Sequence, residues 1–122
     1  MKFSSTAQDA LAASKSYAEE FKSRYAGTEH LLLGLIESHD DVLNQTFYRL
    51  DVDRDHLKDV VISILNIEET NKLFKADTGP AFTPRVLRII DFAKNLAQKL
   101  EKSTVDVIHL FLSLLYENDG VA

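Results

Sequence analysis

Residues 82–100 of this chain read FTPRVLRIIDFAKNLAQKL. Thr83-Pro84 marks a helix start, because the threonine hydroxyl can accept from an otherwise unpaired amide and proline fits the first helical turn without losing a bond. Behind it, Val86, Ile89, Ile90, Ala93, Leu96, Ala97 and Leu100 recur at intervals of three and four, the spacing of one helix face. The same stripe occurs earlier as Ala7, Ala10, Leu11, Ser14, Tyr17, Ala18 and Phe21, each residue 79 positions before its counterpart. Without a gap, this displacement also superposes Phe3 on Phe82, Lys15 on Lys94, His30 on His109, Leu31 on Leu110, Leu33 on Leu112, Leu35 on Leu114 and Asp40 on Asp119. Helical periodicity alone repeats apolar stripes but does not return a histidine and a lysine in register, so the chain contains an internal duplication. Two such units can stack their apolar faces about a pseudo-two-fold axis and bury one core.

Working outward, Ser4 is placed to cap the first helix, whose far end breaks near Tyr25-Ala26-Gly27. Thr28 is placed to cap a second helix through Ile36 that is apolar on nearly every side, as befits the middle of a core. Asp40 or Asp41 starts a short third helix with Val42, Leu43, Phe47 and Leu50 on one face, and Asp53 caps a fourth carrying Leu57, Val60, Val61, Ile64 and Leu65. From about Ile67 to Ala81 the pattern lapses into a linker that would dock by Leu73 and Phe74. No convincing strand is apparent. The expectation is an all-α single domain of about six helices, with a first repeat over 3–65, a linker over 66–81 and a partial second repeat over 82–122. Because Ala122 corresponds to Leu43, the faces of Phe111, Leu114 and Leu115 are expected to lack part of their cover, which would favour self-association.

Composition narrows the function. With 45% hydrophobic and 27% charged residues, four glycines and two prolines among 122 residues, the chain suits one folded helical domain. A net charge of −5 offers no cationic face for nucleic acid. No apolar run is long enough for a bilayer, and the start, Met1-Lys2-Phe3-Ser4-Ser5-Thr6, lacks a secretory signal, so a cytoplasmic location is expected. Cysteine is absent, which excludes disulfides and thiolate metal sites. His30, His39, His56 and His109 offer no helical ligand pair, and no Gly-rich phosphate loop or nucleophile signature is present, so neither metal, cofactor nor catalysis by this chain is expected.

The run Gly27-Thr28-Glu29-His30-Leu31-Leu32-Leu33-Gly34-Leu35 resembles the signature of the N-terminal domain of Clp/Hsp100 AAA+ unfoldases, ClpC- or ClpA-like. That family carries the signature twice in a duplicated four-helix unit, each copy preceded by a helix opening in the manner of Phe82-Thr83-Pro84-Arg85, and the spacing from Phe3 to His30 equals that from Phe82 to His109. The resemblance implies a non-catalytic domain joined to an ATP-driven motor that works with a ClpP-like protease, receiving adaptor proteins and protein substrates. It further implies recognition of phosphorylated arginine, as in ClpC-like members, with the signature glutamate on the guanidinium and the start of the preceding helix on the phosphate. Carried over, this points to Glu29 with Ser4, whereas the second pair would join Thr83 to Ile108, which cannot neutralise a guanidinium. Thr28, Phe3 and Phe82 complete the candidate binding residues.

These residues also have plainer roles. Ser4 and Thr83 are helix caps, Phe3 and Phe82 can staple the helix entries, and Glu29 in a first turn is favoured by the helix dipole. The acidic stretch from Glu37 to Asp59 reads as solvated surface or as a face for a basic adaptor. Two other functions fit less well: a free-standing accessory protein that modulates a Clp protease assembly without its own motor, and a hydrolase or metal protein using Glu29 and His30.

Overall fold

The computed structural model describes residues 2–38, 40–69 and 81–117, so the expected docking of Leu73 and Phe74 lies outside them. Among the described residues there are six helices, α1 (Ser5–Glu20), α2 (Thr28–Glu37), α3 (Asp41–Arg49), α4 (Arg54–Glu69), α5 (Pro84–Lys99) and α6 (Val107–Glu117). The all-α class holds. The structure adds four two-residue strands that the sequence reading lacks: β1 (Lys2–Phe3), β2 (Tyr25–Ala26), β3 (Ala81–Phe82) and β4 (Thr104–Val105). They pair in parallel and across the duplication, Lys2 with Thr104 and Phe3 with Val105 in one ladder, Tyr25 with Ala81 and Ala26 with Phe82 in the other. Displacing one ladder by the repeat interval gives the other with its partners exchanged, which is the signature of a two-fold relation between the halves.

The caps fall where side-chain chemistry puts them. Ser4 and Thr83 each accept from the amide three residues on, at 3.2 Å, while Asp40 accepts from Leu43 at 3.0 Å and Asp53 from Asp55 and His56. Helix α1 ends at Glu20, earlier than expected, in a Schellman arrangement: Ser23 N–H donates to Ala18 O at 2.8 Å and Lys22 N–H to Glu19 O at 3.0 Å. The left-handed residue is Lys22, with φ 56°, and its counterpart Glu101 has φ 58° at the end of α5. Neither is glycine, so each turn carries the steric cost of a Cβ in that region.

The core is organised around α2, in which every residue from His30 to Ile36 is buried. Leu31, Leu33 and Leu35 are fully enclosed, each contributing about 1.5–3 kcal/mol relative to exposure. Helix α1 crosses α2 at Gly34, where a Cβ would lie 2.3 Å from Ala10 O and 2.3 Å from Ser14 Oγ. From α3 and α4 only part of the expected stripes is inside. Leu43, Phe47, Val61 and Leu65 are buried, whereas Val42, Leu50, Val60 and Ile64 are exposed, because they lie on faces that no described element covers. The expectation of an uncovered Phe111 and Leu114 is overturned. Phe47 of α3 meets Phe111 edge-on at 5.4 Å between ring centroids, and both residues are buried, leaving Leu115 alone of the three exposed.

A polar clamp fastens α4 to this core. Tyr17 of α1 donates to Glu37 Oε1 at 2.9 Å, and Lys58 of α4 pairs with the same oxygen. Burial, aided by the Glu37 carboxylate, pushes the Tyr17 phenol above its ordinary range, and the hydrogen bond to Glu37 raises the Lys58 ammonium above its own. Both groups therefore stabilise the fold while protonated, fully below about pH 10, and the contribution is lost as pH rises through their raised values.

Two outcomes follow from this packing. Gly34→Ala is expected to lower stability by about 1–3 kcal/mol, read from urea denaturation, because the backbone oxygen of Ala10 cannot move aside. Glu37→Gln is expected to flatten the loss of stability above about pH 10 that the parent chain shows in urea midpoints across that range. Parallel pH curves for the two proteins would mean the clamp contributes nothing.

Candidate functional site

The start of α2 is built without a side-chain cap of the usual kind. Gly27, not Thr28 as expected, holds the cap position; Thr28 is already helical and buried. His30, three residues into the helix, turns back so that its Nδ1 accepts from Gly27 N–H at 3.0 Å. The counterpart at α6 is the same: His109 Nδ1 accepts from Asp106 N–H at 2.9 Å, with both imidazoles buried. An acceptor at Nδ1 puts the proton of the neutral ring on Nε2. The repeated histidines are thus capping residues, which is why the duplication retains them in register. Among the described residues no group of three or more histidine, aspartate or glutamate side chains could hold a metal ion.

The strand exchange decides which candidate residues meet. Thr83 N–H donates to Ala26 O at 3.1 Å, placing the start of α5 against the start of α2, and Ser4 N–H donates to Val105 O at 2.9 Å, placing the start of α1 against the start of α6. The carried-over pairing of Glu29 with Ser4 and of Thr83 with Ile108 is therefore reversed. Around the point where a Gly27 Cβ would sit, Glu29 Oε2 lies 3.3 Å away and Thr83 Cγ2 3.9 Å away. Glycine leaves a shallow notch there, with a half-buried carboxylate on one side, a threonine on the other and a helix start at its base. The sister position pairs Ser4 with Asp106 and Ile108. There Thr104 Oγ1 donates to Asp106 Oδ1 at 3.0 Å, and no glutamate follows.

Phe3 and Phe82 lie beneath lysines of the opposite half. Lys15 Nζ stands 4.7 Å from the Phe82 ring centroid and Lys94 Nζ 5.8 Å from that of Phe3. Sequence reasoning assigned these rings to helix entry and left the lysines without a role, although their recurrence in register with the phenylalanines was the available signal. Two surface hollows, one of about 480 Å³ lined by Asn44, Gln45, Tyr48 and Arg49 and one of about 460 Å³ lined by Phe92, Asn95, Leu96, Gln98 and Lys99, contain none of the six candidate residues.

Residues 2–122 match the Clp repeat (R) N-terminal domain family over that whole span. The chain belongs to this family. Among its relatives, a probable ATP-dependent Clp protease ATP-binding subunit of Chlamydia pneumoniae is 30% identical over 99% of this chain, and ClpC of Staphylococcus epidermidis is 31% identical over 95%. The chain spans 14% of the length of each. The N-domain of ClpV from Vibrio cholerae superposes with a TM-score of 0.76 at 21% identity, covering 94% of this chain and 67% of that one. A ClpV N-domain in complex with a VipB peptide gives 0.74 at 21% identity, covering 94% and 68%. These likenesses establish the Clp N-domain fold. No helix among the described residues of this Clp N-domain is long and apolar enough to cross a membrane.

The lysine–phenylalanine contacts give a measurable outcome. A double-mutant cycle of Lys15→Ala with Phe82→Ala is expected to yield a coupling of about 0.5–1 kcal/mol, with a smaller value for Lys94 with Phe3 at its longer distance. Absence of coupling in both cycles would remove these contacts as ties between the halves.

Proposed function

We propose that residues 1–122 act as one recruiting domain, with a first repeat extended by α4 to Glu69, beyond the 65 expected, and a partial second repeat that opens with β3 at Ala81, belonging to an ATP-dependent Clp-type unfoldase of the cytoplasm. The domain binds adaptor proteins and protein substrates by surface complementarity and catalyses nothing; ATP hydrolysis and any ClpP-like protease belong to the rest of the assembly. Membership of the Clp N-domain family supports this reading, as does a related ClpV N-domain that takes up a VipB peptide. The observation that carries the site is the notch at Gly27, where Glu29 and Thr83 flank a helix start.

That notch has the chemistry for a phosphorylated arginine. A carboxylate forms a charge-assisted bidentate pair with a planar guanidinium, and the amides at a helix start favour an adjacent anion. Glu29 takes the cation, with Thr83 and Thr28 beside it and Phe82 as the neighbouring apolar wall. Ser4 and Phe3 form the sister position, where Ile108 replaces the carboxylate and leaves no partner for a guanidinium.

Titration calorimetry with a phosphoarginine peptide tests the reading. Glu29→Ala is expected to weaken binding at least about tenfold, the scale of a lost charge-assisted pair, with the helical circular dichroism unchanged. If the unmutated chain binds no phosphoarginine peptide, that ligand is wrong. Binding that Glu29→Ala leaves intact moves the site elsewhere.

A further inference from the structure

The helix starts of α2 and α6 share a backbone arrangement and differ in what stands on it. Gly27 N–H donates to His30 Nδ1 at 3.0 Å and Asp106 N–H to His109 Nδ1 at 2.9 Å, and the first turn closes with Leu31 N–H on Gly27 O at 3.0 Å and Leu110 N–H on Asp106 O at 3.3 Å. Gly27 has φ −92° and ψ −170°, extended backbone that any residue adopts, and Asp106 carries a side chain in the same arrangement. Conformation therefore does not require glycine at 27. What its missing Cβ leaves is space, because the point that Cβ would take has Glu29 Oε2 at 3.3 Å and Thr83 Cγ2 at 3.9 Å.

At the sister position that space is filled. Asp106 brings a Cβ and a carboxylate, and Thr104 Oγ1 holds the carboxylate by donating to its Oδ1 at 3.0 Å. The start of α6 thus carries its own anion, the charge that a helix N-terminus favours. A phosphate arriving there meets a like charge as well as an occupied volume, and Ile108 has no charge to set against a guanidinium.

We infer that residue 27 and its counterpart 106 set how many ligands the domain takes: one phosphoarginine side chain enters at Gly27, and Asp106 shuts the second notch with its own carboxylate. This inference rests on the reading of the Glu29 notch given above and adds to it the residue that decides occupancy.

Calorimetric titration of the whole 122-residue chain with a peptide bearing a single phosphoarginine tests it. One equivalent is expected for the parent chain. Gly27→Ala, which adds only a methyl group, is expected to weaken binding severalfold, and Gly27→Asp, which copies the sister position, by about tenfold or more, both with the helical circular dichroism of the parent. Asp106→Gly combined with Ile108→Glu is expected to add a second equivalent, of which Glu29→Ala in the same background removes one. Two equivalents in the parent, or a single one in the folded Asp106→Gly/Ile108→Glu chain, overturns the inference and leaves the Glu29 notch standing. Gly27→Asp decides independently of how that double variant folds, since an affinity equal to the parent's overturns the inference as well. A parent chain that takes up no peptide removes the notch reading itself, and this inference with it.

Discussion

The fold hangs on a reciprocal exchange of backbone hydrogen bonds between its halves. Neither half pairs its own two strands; β1 takes β4 and β2 takes β3, and the amides of Ser4 and Thr83 extend each ladder by one bond. Two-residue ladders have little stability of their own. Burial of α2 and α6 supplies the energy, and the ladders supply alignment, holding the first turn of α5 against the first turn of α2 and that of α1 against that of α6. The notch at Gly27 is a product of this alignment, since its two walls, Glu29 and Thr83, come from different halves.

Within the two-fold plan the polar residues diverge while the packing is kept. At the α1–α2 crossing Ser14 donates its hydroxyl to Ala10 O at 2.8 Å across from Gly34; at the α5–α6 crossing the hydroxyl comes from Ser113, which donates to His109 O at 2.7 Å, and the position facing it is Ala93. Each crossing therefore holds one small hydroxyl residue satisfied within its own helix, delivered from opposite sides. The buried polar atom is bonded in both, which is the condition for tolerating it in a core. The same freedom operates at the surface, where Glu37 corresponds to Tyr116 and Glu29 to Ile108, so that related positions face different partners.

Much of this architecture was legible in the sequence because it rests on local chemistry. Ser4, Thr83, Asp40 and Asp53 cap because their side chains reach amides within one turn, and α2 reads as core because no face of it is polar. What the sequence concealed is long-range. Strands of two residues have no period to detect, and the pairing of Lys2 with Thr104 leaves no trace in composition. For the same reason the partners of Glu29 and Thr83 were exchanged: alignment of repeats shows equivalent residues, whereas contact across a two-fold axis joins non-equivalent ones. Val42, Leu50, Val60 and Ile64 were overcounted because an apolar residue on a helix is buried only where another element covers it. The histidine cap escaped notice because serine, threonine and aspartate are the customary acceptors, although its return at the repeat interval marked it.

The ladder of β1 with β4 also sets the order in which this domain can close during its synthesis. Lys2 and Phe3 are each synthesised 102 residues ahead of their partners, Thr104 and Val105. At ordinary translation rates the opening segment waits on the order of ten seconds before its mate exists. Throughout that interval the ring of Phe3 and the apolar flank of α2 that α6 will later cover are open to solvent, so a nascent chain of this design presents to its surroundings the kind of surface that protein-handling machines are made to grasp.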